Sequence, residues 1–185
     1  GFYTVEQRTP LMLGDDTYSY FIVWNSHSRK DAVLYGQGHR NYQNYRRSVL
    51  YIDKNPGHFG FRGQNQDDIE FDYRTSNTTD SAYWNIGSLV MDKEGENGTA
   101  DTLIYSLNGE KREVSNFNID RLHVGAYRAS IGGREYDLNS ESYQGNIGEM
   151  IVMDRVVTEN TRYRIQYYLS KKWGLESVMD SDEDG

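Results

Sequence analysis

The chain has 185 residues and a mass of 21.5 kDa, with 28 acidic against 20 basic side chains, a net charge of −8 and no cysteine. That length suits one domain with a sizeable core, the acidic balance argues against a nucleic-acid partner, and the missing thiols exclude disulfides, zinc-thiolate sites and thiol catalysis. Sixteen Tyr, six Phe, three Trp and 18 Gly at a mean hydropathy of −0.84 point to many half-buried strands joined by Gly, Asn and Asp turns.

No run approaches the roughly 18 apolar residues of a membrane span, so no membrane insertion is expected. The opening GFYTVEQRTPLML lacks the basic-then-apolar order of a signal peptide, and the segment reads as a piece of a longer chain.

Tyr18 to Trp24, aromatic and β-branched between Asp15-Asp16 and Asn25-Ser26, predicts a strand, and Ala32 to Tyr35 a short second one. Gly36 to Arg47 (GQGHRNYQNYRR) has no apolar periodicity and reads as a long, decorated loop. Ser48 to Ile52 and His58 to Arg62 form a hairpin about Asn55-Pro56-Gly57. In Ile69 to Tyr73, alternation puts Ile69, Phe71 and Tyr73 on one face and Asp68, Glu70 and Asp72 on the other. Ala82 to Met91 is a further strand, and Thr102 to Leu107 pairs with Glu110 to Val114 across Asn108-Gly109, the strongest hairpin signal in the chain. Leu122 to Tyr127 and Ile147 to Met153 complete the set.

One segment has helical spacing. Thr158 suits an N-cap, Thr161, Ile165, Tyr168, Leu169 and Trp173 mark one stripe, and Gly174 stands where the helix should stop. Trp24, Trp84 and Trp173 read as core. The acidic segment Ser177 to Gly185 is expected to stay off that core, which divides the chain into 1–176 and 177–185. The fold class is therefore all-β, a two-sheet antiparallel β-sandwich with one C-terminal α-helix.

Three passages resemble a known family. Tyr83-Trp84-Asn85-Ile86-Gly87-Ser88-Leu89-Val90-Met91-Asp92, then Leu103-Ile104-Tyr105-Ser106-Leu107-Asn108-Gly109-Glu110, then Leu122-His123-Val124-Gly125-Ala126 are similar to the concanavalin A-like jelly roll of laminin-G-like domains. Gly145 to Arg155 and Tyr167 to Leu175 resemble the closing segment of its bacterial branch. The resemblance implies a ligand-binding module of large calcium-dependent (RTX-type) adhesins, extracellular at the cell surface, a monomeric unit within a long multidomain chain. Some of those modules bind peptides, which leans the ligand toward peptide; a glycan on the target cell is the other choice.

The chemistry-bearing residues fall in four places. Asp67 and Asp68 stand at a loop-to-strand junction, and Gly132 to Gln144 carries Asp137, Asn139, Ser140, Glu141 and Gln144, all hard oxygen donors suited to Ca²⁺. A calcium ion held by Asp67, Asp68, Asp137 and Asn139, with open positions completed by ligand oxygens, is the expected metal site. His39, Arg40, Tyr42 and Tyr45, with Tyr136 and Tyr143 from the other loop, supply cations and rigid rings for the ligand. Each of these residues has a plainer role as an ordinary loop residue. Asp180-Ser181-Asp182-Glu183-Asp184-Gly185 fits the opening of a calcium loop and equally an acidic linker.

The alternative is a glycoside hydrolase of the concanavalin A-like glucanase type using Asp68, Glu70 and Asp72. Its letters depart from the ExDxE pattern of that group, so a non-enzyme is expected. His27, His39, His58 and His123 lack metal-ligand spacing, and no zinc site is predicted.

Overall fold

A computed structural model describes residues 3–5, 17–26, 32–41, 44–52, 58–64, 70–78, 84–92, 101–115, 129–133 and 142–179. A six-stranded antiparallel sheet runs in the order β1 (Tyr3–Val5), β10 (Ala129–Ile131), β3 (Ala32–Asn41), β4 (Asn44–Ile52), β5 (His58–Gln64), β6 (Glu70–Thr78). A five-stranded sheet runs β11 (Gly145–Met153), β2 (Tyr18–Ser26), β7 (Trp84–Asp92), β8 (Thr102–Leu107), β9 (Glu110–Ser115). The sandwich expected from the alternation is the one observed.

Period-two alternation sends Tyr18, Tyr20, Ile22 and Trp24 of β2, Leu89 and Met91 of β7, and Leu103, Tyr105 and Leu107 of β8 to one face. They meet Leu34, Tyr35, Leu50, Ile52, Phe59 and Phe61 of the other sheet in one buried cluster. Trp24 stacks on Phe59 with ring centroids 5.1 Å apart. Gly87 makes that stack possible, because a Cβ there would lie 2.7 Å from the Trp24 ring and 2.8 Å from Phe59. At the tip of β8–β9, Asn108 and Gly109 take φ of 48° and 89°, the left-handed pair of a tight two-residue hairpin. Asn108 also accepts from the backbone N–H of Ile86 at 2.9 Å and donates to Asn85 Oδ1 at 3.0 Å, so the turn is locked to β7.

The helix α1 (Glu159–Trp173) begins and ends where its signals stand. The Thr158 side chain accepts from the N–H of Thr161, and Gly174 takes the left-handed conformation (φ 65°) while its N–H bonds the Ser170 carbonyl. Its buried face differs from the expected stripe: Thr161 and Tyr168 are exposed, while Arg162, Gln166 and Ser170 are buried with Leu169. The reason lies beneath it. The outer face of the five-stranded sheet offers Phe21, Val23, Ile86 and Val90 to Leu169, but it also carries the cross-strand pair Ser88 and Ser106, whose hydroxyls are 2.6 Å apart. Gln166 Nε2 donates to Ser106 at 2.6 Å and to Ser88 at 3.2 Å, so a polar spot on the sheet selects a polar helix position.

Other expectations are revised. The 36–47 segment is a β-hairpin rather than a loop, with β3 and β4 in register from Gly36↔Val49 to Asn41↔Asn44. Backbone pairing of β3 with β4 supplies what an apolar stripe would otherwise provide, with β10 and β5 joining only at Gly36, Gln37 and Arg47. The short strands β1 and β10 carry too few residues to show a pattern. Val178 and Met179, expected in the unpacked tail, are half buried against the helix-side cluster. Trp24 is fully buried as expected, whereas Trp84 and Trp173 are half buried with their rings 5.0 Å apart. The predicted strand Leu122 to Tyr127, Ile69 and the segment Asp180 to Gly185 lie outside the described residues.

Candidate functional site: the outer face of the six-stranded sheet

Residues of β3 to β6 that alternate with the core set share the opposite, outer face of the sheet. The ladder orders them in rows. Gly36, Val49, Arg62 and Asp72 face one another across four strands, followed by Gly38, Arg47, Gln64 and Glu70 on one side and Tyr51, Gly60 and Arg74 on the other. Arg40 and Tyr45 form a further pair toward the hairpin tip. By register, Arg40, Arg47, Arg62, Arg74, Glu70 and Asp72 belong to one phase of the ladder in a chain that is acidic overall.

At the centre of this grid Tyr51 is only 3% exposed although it belongs to the outer face. The Arg62 guanidinium lies over its ring, 4.4 Å from the centroid, and Arg62 itself is half exposed. Gly36 and Gly60 on the same face are buried like Tyr51. Val33, paired with Tyr51, is buried as well. On the neighbouring strand, Ser130 is buried and donates to the Gly133 carbonyl at 2.7 Å, with the Gly36 carbonyl at 3.3 Å. A planar, permanently charged fork suits a carboxylate or vicinal hydroxyls of a ligand.

Of the residues singled out in the sequence, Arg40 and Tyr45 come together as a cross-strand pair on this face, while His39 pairs with Arg46 on the opposite one. Tyr143 is half buried, and its hydroxyl donates to the Asn25 carbonyl at 2.6 Å, with the Asn146 carbonyl at 3.3 Å. Burial pushes its phenol far above the ordinary tyrosine value, against the opposing pull of the bond to Asn25. The hydroxyl ties the chain entering β11 to β2. Tyr42, Tyr136, Asp67, Asp68, Asp137 and Asn139 lie outside the described residues. Among the described residues no three His, Asp or Glu side chains form a metal-binding group.

Glu70 and Asp72 share the outer face, as the alternation predicted, opposite Gln64 and Arg62. Tyr51, Arg62 and Arg74 were missed as site residues. The signal was present: Tyr51 interrupts Leu50 and Ile52, and Arg62 follows Phe59 and Phe61, each on the alternate phase.

No family model matches the chain, and no curated protein does. Solved structures do match. The CBM40 of Ruminococcus gnavus IT-sialidase bound to alpha2,3 sialyllactose aligns over 81% of this chain and 82% of that one, at 18% identity and a TM-score of 0.65. The fold is a concanavalin A-like jelly roll. A K499G mutant of NanB sialidase from Streptococcus pneumoniae aligns over 88% of this chain but only 27% of its own length, at 11% identity and a TM-score of 0.65. A heptameric SAP-like pentraxin from Limulus polyphemus aligns over 77% of this chain and 65% of that one, at 13% identity and a TM-score of 0.55. Identities this low establish the fold and leave the ligand to the site itself.

Proposed function

We propose that this chain is a non-catalytic glycan-binding module that takes an acidic sugar on the outer face of its six-stranded sheet. The observation that carries the reading is Arg62 laid over buried Tyr51 at the centre of a face shared with Arg40, Arg47 and Arg74. The similarity to a CBM40 bound to sialyllactose supports it. Against a net charge of −8, an acidic ligand needs a local cationic field to approach, and clustered arginines supply one. An arginine fork of that face then pairs with the carboxylate.

Calorimetric titration with 3′-sialyllactose and with lactose tests the reading. Sialyllactose should bind and lactose should bind at least about tenfold more weakly, because one charge-assisted bidentate pair contributes about 1.5–3 kcal/mol. Arg62→Ala should erase the difference. Equal affinity for the two sugars, or none for either, refutes the reading.

The hydrolase alternative with Asp68, Glu70 and Asp72 is separated by assay: glucan cleavage by the native chain that is lost in Glu70→Gln would favour it over a binding module. Calcium at Asp67, Asp68, Asp137 and Asn139, and the setting in a bacterial surface adhesin, are separate proposals that rest on the sequence alone. The same titration in EGTA tests the ion: loss of binding in chelator would assign it a role at the site.

A further inference from the structure

We propose that the outward face of α1 is a docking surface for a short, extended acidic segment of a partner protein, separate from the six-stranded sheet and independent of the glycan reading. Helical spacing sets Tyr163, Tyr167 and Lys171 in one i, i+4 row and Arg164, Tyr168 and Lys172 in the row beside it. All six are exposed, and among the described residues the exposed large hydrophobic side chains are these three tyrosines, at 42%, 62% and 49% for Tyr163, Tyr167 and Tyr168. Tyr163 has a structural task, since the buried Arg162 guanidinium packs 4.6 Å from its ring centroid. The rings of Tyr167 and Tyr168 meet only the lysines beside them, Lys171 and Lys172, each 5.5 Å from the centroid. Tyrosine is a poorer helix former than Lys, Gln or Glu, so two open rings here serve neither the helix nor the core.

Charge and area choose the occupant. α1 carries four cations and one carboxylate, and the groups that pair with it add Lys111, Glu149 and Glu176, which leaves +2 on a chain of −8. Lys171 and Lys172 are already paired with Glu176 and Glu149, whereas exposed Arg164 has no ion pair among the described residues, so its fork is the one an incoming carboxylate meets. The three rings leave roughly 230–380 Å² open, enough to mark an interaction patch and well below the roughly 800 Å² that each copy gives to a stable dimer. A short segment matches that area and a second folded copy does not. From Tyr163 to Lys172 the rows run about 14 Å, the length of four to five extended residues. Tyr and Arg are the residues that carry protein contacts, whereas the overall charge repels an anionic membrane and tyrosine rings give it little apolar depth.

The test is an NMR titration of the full isotope-labelled chain with a pool of hexapeptides in which Glu or Asp alternates with Leu, Val or Tyr, and with the same pool carrying Lys in place of the acids. The acidic pool should shift the amide signals of α1, and the lysine pool should not. Affinity for the acidic pool should fall roughly fivefold or more in Arg164→Glu and in Tyr167→Ala, the loss expected of a central interface contact. Both side chains are exposed, so both variants should keep the native urea midpoint, which separates lost docking from lost fold. Equal shifts with the lysine pool, shifts confined to residues outside α1, or no shifts at millimolar peptide would overturn the proposal. Displacement of the peptides by 3′-sialyllactose would place them on the glycan face and overturn it too. Dimerisation that Tyr167→Ala abolishes would give the surface to a second copy, and capture of phosphatidylserine vesicles without peptide binding would give it to a membrane; either result sinks the peptide assignment. Failure of the native chain to bind sialyllactose leaves this proposal standing, because no residue is shared.

Discussion

The contact between α1 and the five-stranded sheet makes a sharp prediction about buried polarity. Gln166 is fully buried, its Nε2 bonded to Ser106 at 2.6 Å and Ser88 at 3.2 Å, while its Oε1 has no hydrogen-bond partner. In Ser106→Ala the carboxamide keeps only the longer bond and the Ser88 hydroxyl loses its 2.6 Å neighbour. That orphaning should cost about 1–3 kcal/mol, with little cavity term because only an oxygen is removed. Gln166→Leu gives up two bonds of about 0.5–1.5 kcal/mol each but also removes the unpartnered Oε1, whose burial costs about as much, so it should lie within about 1 kcal/mol of native. The triple variant Ser88→Ala, Ser106→Ala, Gln166→Leu leaves no polar side chain of this network at the interface and should be nearer native stability than Ser106→Ala alone. Urea unfolding at neutral pH, with unchanged m values, measures all three. A triple variant that costs the sum of its parts would refute the argument, because it would mean the three groups act independently rather than as one network.

Three further outcomes are expected. Arg162 is 1% exposed, with Nη1 unpartnered and Nη2 3.5 Å from Glu159, so Arg162→Met should be neutral or stabilising by about 1–4 kcal/mol in urea unfolding, and marked destabilisation would show that the charge is compensated after all. Tyr143→Phe removes the bond to the Asn25 carbonyl and should lower stability by about 0.5–1.5 kcal/mol, with an unchanged unfolding midpoint counting against the tie between β11 and β2. Glu149 is held below the ordinary carboxylate pKa, first by the 3.0 Å bond from Trp173 Nε1 and then by Lys172. Because the folded pKa is the lower one, its stabilisation is present above the unfolded pKa and is lost as pH falls through the folded value. Glu149→Gln should therefore flatten the acid limb of a pH–stability profile followed by tryptophan fluorescence, and an identical slope in both proteins would exclude that role.

Part of the candidate site was legible before any tertiary structure. The alternation in Glu70 to Tyr73 placed Glu70 and Asp72 on the face where the ladder puts them, and Arg40 and Tyr45 were chosen as ligand-contacting residues and do share an outer-face pair. Apolar periodicity made 36–47 a loop, where backbone pairing of β3 with β4 holds the chain. It also passed over Arg62, whose significance depends on a ring eleven residues away in sequence and diagonal to it in space.

The division follows the range of the forces. Thr158 and Gly174 bound the helix, and Asn108-Gly109 turns the hairpin, because capping bonds and left-handed φ values are set within a few residues of chain. Which face of α1 is buried is another matter. The helix presents Arg162, Gln166 and Ser170 inward because two serines on separate strands meet beneath it, and Tyr51 finds Arg62 because β4 and β5 pair in one register. Those choices belong to surfaces assembled from distant segments, so they exist only once the sheets have formed.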